Sequence, residues 1–293
     1  MKRAAFKYLM MTALILGTSF PAFADSVGQS FAQLEKSTHG QLGIAAINTA
    51  NNQKIDYRSN QRFPMECTAK FIGVAAVLKK SKTDHSILDK KVFYQKSDLV
   101  SWSPITEKHI NTGMTIKQLC KAAMIISDNT AINLLIKHAL NGGPDKLNTF
   151  ARSIGDNTFH QVDWWPQEAT TIPGEKRNTT TPVAMEKSLE KIALGNVLAF
   201  EQRQDLLTWM KNNHTGNKRI RAGVPKGWIV ADKTGTGDYY GIVDDIAVIW
   251  PPKSKPIILV AYFSGNKKDM QKQDNVLAKA TKIVIRKFYP FQN

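Results

Sequence analysis

Two groups of β-prone runs stand at opposite ends of this chain, and what lies between them is helical. Residues 41–48 and 54–57 read as strands around the polar turn Asn51-Asn52-Gln53, and residues 228–233, 243–250 and 257–263 form a second β-rich group separated by glycine and proline signals. Helical runs fill the rest, at 26–38, from Cys67 onward, at 115–126, 130–140, 146–154, 182–195, 199–212 and 269–288. This order has a topological consequence: one sheet must draw strands from both ends of the chain, with an all-helical region inserted between them. We therefore expect an α/β fold in which residues 25–60 and 212–293 form the sheet-bearing domain and 61–211 the helical one. Residues 155–182 make a long irregular segment, and a loop of that length in a compact domain is usually functional or mobile.

The first residues carry Lys2, Arg3 and Lys7, then an apolar run from Tyr8 to Leu16, then Ala22-Phe23-Ala24, the pattern of a cleaved secretory signal covering residues 1–24. No other stretch approaches the length of a membrane span, so the expected mature protein is exported, periplasmic or secreted, with no membrane span. Losing Lys2, Arg3 and Lys7, with no acidic residue removed, takes the formal charge from +16 to +13. Such a charge is compatible with nucleic acid or an anionic envelope surface. The lysines are scattered, however, with no arginine block or interleaved aromatics, which reads as solvated surface and argues against a nucleic-acid partner. Two cysteines in an exported chain invite a disulfide. Cys120 lies in the helical run 116–124 and is expected in the core, which leaves Cys67 free.

Cys67 sits where a polar cluster, Phe63-Pro64-Met65-Glu66-Cys67-Thr68, feeds an apolar run through Ala75 and Ala76. Lys70 follows three residues later, so on a helix the two share a face, and the unpaired N–H groups of the first turn point the same way. Both the helix end and the ammonium favour thiolate, making Cys67 a candidate nucleophile. Taken alone, a small buried cysteine is the plainer reading.

Four landmarks in order change that balance: Cys67-Thr-Ala-Lys70, Ser127-Asp128-Asn129, the loop ending Arg177-Asn-Thr-Thr-Thr-Pro182, and Lys233-Thr234-Gly235. Together they resemble the class A β-lactamases over essentially the whole mature chain. The resemblance implies an α+β sandwich with an antiparallel sheet, and a monomer that opens β-lactams through a covalent acyl-enzyme without metal or cofactor. It also implies roles: Cys67 as nucleophile, Lys70 as base or proton relay, and Ser127 as proton donor to the ring nitrogen. The backbone N–H groups of Cys67 and Thr236 would form the oxyanion hole. Arg219, Lys233, Thr234 and Thr236, with Gly235 between them, would hold the substrate carboxylate. Asn129 would hold the side-chain amide, and Trp102 would wall the entrance.

The departures concentrate where the chemistry lies. The family has serine where this chain has Cys67, and a small residue where it has Glu66. Aligned on Ile172-Pro173, the loop places Trp165 at the family's water-activating glutamate and Ala169 at its asparagine. Glu168 is the nearby carboxylate, and its use as a base requires a shifted loop. The ionic pair that closes the family's loop is expected to be missing, because the matching positions are Asp163 and Asn178. Trp164 and Trp165 are expected to pack rather than bind. The leading expectation is a hydrolase impaired or altered in deacylation. The alternatives are a protein that traps or senses β-lactams, and a non-catalytic, envelope-binding basic protein.

Overall fold

The structure, a computed structural model, describes residues 27–290, so the expected signal segment 1–24 lies outside the described residues. Helix α1 (Val27–Thr38) leads into the hairpin β1 (Gly40–Asn48) and β2 (Gln53–Tyr57). Strand β3 (Phe63–Pro64) precedes a 3-10 turn, Glu66–Thr68, and helix α2 (Ala69–Lys80). Short strands β4 (Lys91–Val92) and β5 (Met114–Thr115) pair ahead of α3 (Ile116–Ile125), α4 (Asn129–His138) and α5 (Asp145–Ser153). The long loop ends at β6 (Thr179–Thr180), which pairs back onto β3. Then follow α6 (Pro182–Ala193), α7 (Phe200–Lys211), the single turn α8 (Ile220–Gly223), strands β7 (Ile229–Thr236), β8 (Val243–Trp250) and β9 (Ile257–Gly265), and α9 (Asn275–Phe288).

The sheet order is β2-β1-β9-β8-β7, with every neighbouring pair antiparallel, so the first strand and the last lie side by side at its centre. Burial on both faces follows from strict alternation. In β9, Ile257, Leu259, Ala261 and Phe263 join a cluster with Phe31 of α1 and Val276, Val284 and Phe288 of α9, while Ile258, Val260 and Tyr262 join the core of the helical layer on the other side. Helix α2 is buried from Ala69 to Leu78 and packs against α3, α4, α5 and α7. A helix apolar all round belongs inside a layer, not on its surface. Helix α3 is closed by a capping box in which Thr115 Oγ1 accepts from Gln118 N–H and Gln118 Oε1 accepts from Thr115 N–H. Among the described residues no helix is long and apolar enough to cross a membrane.

Three expectations shift. Cys67 lies not on the helix but in the 3-10 turn before it, because Glu66 has φ +44° and the α-helical backbone begins only at Ala69. The closing helix starts at Asn275, not at residue 269, where Asp269 takes φ +60°. Strand β7 runs on to Thr236, placing the whole Lys-Thr-Gly-Thr segment on a sheet edge.

Candidate active site

The 3-10 turn delivers Cys67 to a cavity of about 440 Å³ between the sheet edge and the helical layer, with Ser127, Asn129, Glu168, Thr234 and Thr236 on its walls. Gly235 lets β7 come this close: a Cβ there would stand 2.9 Å from both Met65 O and Glu66 Cβ. Lys70 sits one position into α2, fully buried, and its ammonium donates to Ser127 O at 2.8 Å, Ser127 Oγ at 3.2 Å and Asn129 Oδ1 at 2.5 Å. Lys233, also buried, donates to Ser127 Oγ at 2.9 Å and to Thr234 O at 2.8 Å. One hydroxyl therefore receives both ammonium groups.

Ser127 reaches that position because its backbone is left-handed, φ +62°. Asp128 fixes the turn. Its carboxylate caps α4 by accepting from Ala131 N–H at 2.9 Å, and it also accepts from Ile105 N–H and Thr106 N–H. The segment 101–106 is thereby tied to α4, with Asn129 N–H donating to Trp102 O and Asn129 Nδ2 donating to Ser101 O. Trp102, 59 % exposed and at φ +59°, donates its indole N–H to Ile126 O and stands at the cavity mouth.

Arg219 is committed to the fold. Its guanidinium donates to Asp274 Oδ1 at 2.7 Å, Asp244 O at 2.8 Å, Thr236 Oγ1 at 2.6 Å and Gly235 O. It braces the strand end that carries Thr236 and lines the cavity beside that hydroxyl. Thr234 Oγ1 shares a hydrogen bond with Thr215 Oγ1 at 2.5 Å.

The long loop supplies Glu168 through a 3-10 turn, Gln167–Thr170. This turn aims the carboxyl inward, and Glu168 Oε1 comes to 3.7 Å from Cys67 Sγ while Oε2 has no partner. Trp165 is fully buried, its ring 5.7 Å from Lys70 Nζ, whereas Trp164 remains 37 % exposed. Trp165 packs as expected and Trp164 does so only partly. The expected absence of ionic closure is overturned: Arg177 Nη1 pairs with Asp163 Oδ2 at 2.5 Å, and Asn178 Nδ2 donates to the same oxygen at 2.7 Å. The cation of the pair is Arg177, the neighbour of the matching position Asn178.

The electrostatics are set by two cations and a group of buried acids. Burial opposes ionisation of the Cys67 thiol, yet Lys70 and Lys233 overcome it and bring the thiol down to about 7. Burial, aided by the like charge of Lys70, lowers Lys233 to about 7 against the pull of Cys67. Glu168 is held well above the usual carboxylate range by burial and then by the Cys67 charge, with Lys70 opposing. Both cysteines are free, and Cys120 is buried in the helical core.

Sequence reasoning missed three supporting residues. Asn133 Nδ2 donates to Trp165 O at 2.7 Å and its Oδ1 accepts from Trp165 N–H at 3.2 Å, anchoring the loop. Its position one turn after Asn129, a second amide on a mostly apolar helix, was a usable signal. Asp274 and Thr215, which hold Arg219 and Thr234, carried none, since each contact depends on tertiary pairing. Among the described residues there is no cluster of His, Cys, Asp and Glu able to hold a metal.

Known proteins share this family and fold. A model of the Beta-lactamase enzyme family matches residues 26–288. The chain is 49% identical to "Beta-lactamase Toho-1" of Escherichia coli over 275 residues, covering 94% of each chain, and 49% identical to "Beta-lactamase OXY-1" of Klebsiella oxytoca over 271 residues, covering 92% of each. Among solved structures it is similar to a β-lactamase from Desulfarculus baarsii, with TM-score 0.88, 44% identity, and coverage of 90% of this chain and 97% of that one. An ancestral class A β-lactamase (GNCA) gives TM-score 0.86 and 44% identity over 90% of this chain and 100% of that one.

Proposed function

Since this chain belongs to the β-lactamase enzyme family and is a β-lactam hydrolase by that kinship, we propose that it acts through a thioester on Cys67 and that Glu168 replaces the family's water-activating glutamate. The single observation that carries this reading is the approach of Glu168 Oε1 to 3.7 Å from Cys67 Sγ, on a site that also holds Lys70.

In this reading the Cys67 thiolate, formed beside Lys70 and Lys233, attacks the lactam carbonyl carbon. The Cys67 and Thr236 N–H groups receive the oxyanion. As the C–N bond breaks, Ser127 Oγ gives its proton to the ring nitrogen and recovers one from the ammonium groups that bond to it. Lys233, Thr234 and Thr236, with Arg219 behind them, hold the substrate carboxylate, Asn129 holds the side-chain amide, and Trp102 covers the entrance. Acylation then changes the acid: the thiolate charge that raises the Glu168 pKa is consumed in the thioester, so Glu168 ionises more readily in the intermediate than in the free protein. The carboxylate accepts a proton from water, the water oxygen attacks the thioester carbon, the C–S bond breaks to release the Cys67 thiolate beside Lys70 and Lys233, and the proton shed by the new carboxylic acid restores the ammonium that supplied Ser127. The protein is proposed to work as an exported, periplasmic or secreted monomer, divided into domains at 25–60 with 212–293, and 61–211.

A second reading, a β-lactam trap, is favoured by one feature: the buried Trp165 and the methyl of Ala169 offer no hydrogen-bond acceptor to orient and activate a water against the acyl group. Intact-mass spectrometry during incubation with a penicillin separates them. Substrate consumed with unmodified protein recovered supports hydrolysis. A persistent adduct supports the trap. Unchanged substrate and protein would overturn both and leave binding to anionic envelope surfaces as the function to test.

A further inference from the structure

Glu66 has no part in the chemistry above, yet it adjoins the nucleophile and is built in at a cost. It holds φ +44°, a region that non-glycine residues rarely adopt, and its side chain is buried with neither carboxyl oxygen bonded to any described residue. The carboxyl lies behind the end of β7. A Cβ at Gly237 would stand 3.1 Å from Glu66 Oε1, and one at Gly235 would stand 2.9 Å from Glu66 Cβ and 3.2 Å from Asp244 Cβ. The oxyanion strand is thus flanked by two buried carboxyls, Glu66 behind its end and Asp244 beside Gly235 on β8.

The charges around this pocket come from every element packed on it. Strand β8 contributes Asp244, the turn after β7 contributes Asp238, and the long loop contributes Glu168. Cys67 lies on Glu66's own turn, with Lys70 of α2 and Lys233 of β7 beyond it. Arg219 reaches the Gly235 and Asp244 carbonyls, and no hydrogen bond joins it to Glu66. An ionised carboxylate in such surroundings has no donor and three acidic neighbours, a strongly unfavourable burial. Burial first, then Glu168, Asp244, Cys67 and Asp238, hold the Glu66 carboxyl well above its ordinary range.

We propose that Glu66 is a positioning residue kept as a neutral acid behind the oxyanion site, and that loss of its proton is what shuts off acylation of Cys67 at alkaline pH. A neutral carboxyl fills the space under Gly237 without a field. An anion there opposes both the thiolate and the oxyanion forming on the other side of the strand, the two charges that acylation requires. The proposal rests on Cys67 being the nucleophile for β-lactams.

The test is the acylation rate constant at saturating penicillin, followed by intact mass from pH 6 to pH 10, for the wild type and Glu66→Gln. Saturation removes the effect of Lys233 on binding. The wild type should lose acylation on the alkaline side, and that fall should move up by about one pH unit or more in Glu66→Gln, the size of shift a nearby like charge produces. Asp244→Asn, which removes a like charge that holds the proton on Glu66 and leaves Glu66 in place, should move it the opposite way, to lower pH, and carries the test if Glu66→Gln does not fold. Iodoacetamide, which forms no oxyanion, should label Cys67 in every variant. An alkaline fall that is identical in all three proteins overturns the proposal and leaves the nucleophile standing. Labelling by iodoacetamide with no acylation by penicillin in any of them overturns the nucleophile reading and the proposal together.

Discussion

Glu168 Oε1 lies 3.7 Å from Cys67 Sγ, although the two residues are 101 positions apart in the chain. The contact brings a buried acid to the atom that would carry an acyl group. Glu168→Gln preserves shape and removes the base, so acylation should persist while steady-state turnover falls about a hundred- to ten-thousand-fold. Rapid mixing with a chromogenic β-lactam should show a burst of one equivalent followed by a slow phase, with the adduct visible by mass.

Cys67→Ser tests whether the carboxylate serves either nucleophile. With Glu168 already in place, the serine variant should turn over repeatedly with no change at Trp165 or Ala169. Accumulation of a stable ester instead would mean that Glu168 cannot direct water to that carbonyl.

The thiol should titrate near neutrality. Below about 7 the Cys67 thiol is neutral and above it the thiolate dominates, so iodoacetamide labelling should climb with pH through a midpoint near 7 and level off above it. Lys70→Met removes the ammonium that contributes most to this lowering and should carry the midpoint upward. Cys120, whose thiol burial pushes far up, should stay unlabelled in the folded protein throughout.

Lys233 should control substrate binding in the opposite sense. Its ammonium is fully charged below about 7 and loses its proton as pH rises through that value. KM for a carboxylate-bearing β-lactam should therefore rise on the alkaline side, while an esterified substrate of the same skeleton shows no such rise. Equal profiles for both substrates would remove Lys233 from carboxylate recognition.

The long loop is fastened at Asp163, which receives both Arg177 and Asn178. Asp163→Ala removes a partly exposed ion pair and should cost about 1 kcal/mol or less globally. Hydrogen exchange should quicken selectively between residues 163 and 178 and stay unchanged in α2.

These outcomes bear on what the sequence alone could convey. Lys70, Ser127 and Lys233 were legible because local motifs fix them: the first turn of α2, the turn before α4 and strand β7 each dictate the direction of one side chain. The sheet drawn from both chain ends was legible for a similar reason, since the strand runs carry their period in the residues themselves. Glu168 was legible as a residue but not as a contact. Its register matched an apolar position of the family, and the 3-10 turn at Gln167–Thr170 turns it toward the sulfur. Arg177 was missed because one-to-one matching of ionic partners hides a neighbour that reaches the same carboxylate from one residue away. The start of α2 was misplaced by the left-handed Glu66, whose conformation is imposed by its packing against β7 and not by its own preferences.

Strands β1 and β9 are joined along residues 40–48 and 257–265, so the centre of the sheet cannot form until nearly the whole chain has been made. The turn that bears Cys67 and the helix that bears Lys70 belong to the first third of the chain, whereas Lys233 and Thr236 arrive with the last quarter. Pairing over such a separation is slow to nucleate, because a long loop must close before its contacts return anything. An emerging chain therefore carries its sulfur for most of its synthesis with only part of the field that activates it. The field around the sulfur is completed last, with the sheet, and a chain cut short before β9 would keep the thiol but not the surroundings that lower its pKa.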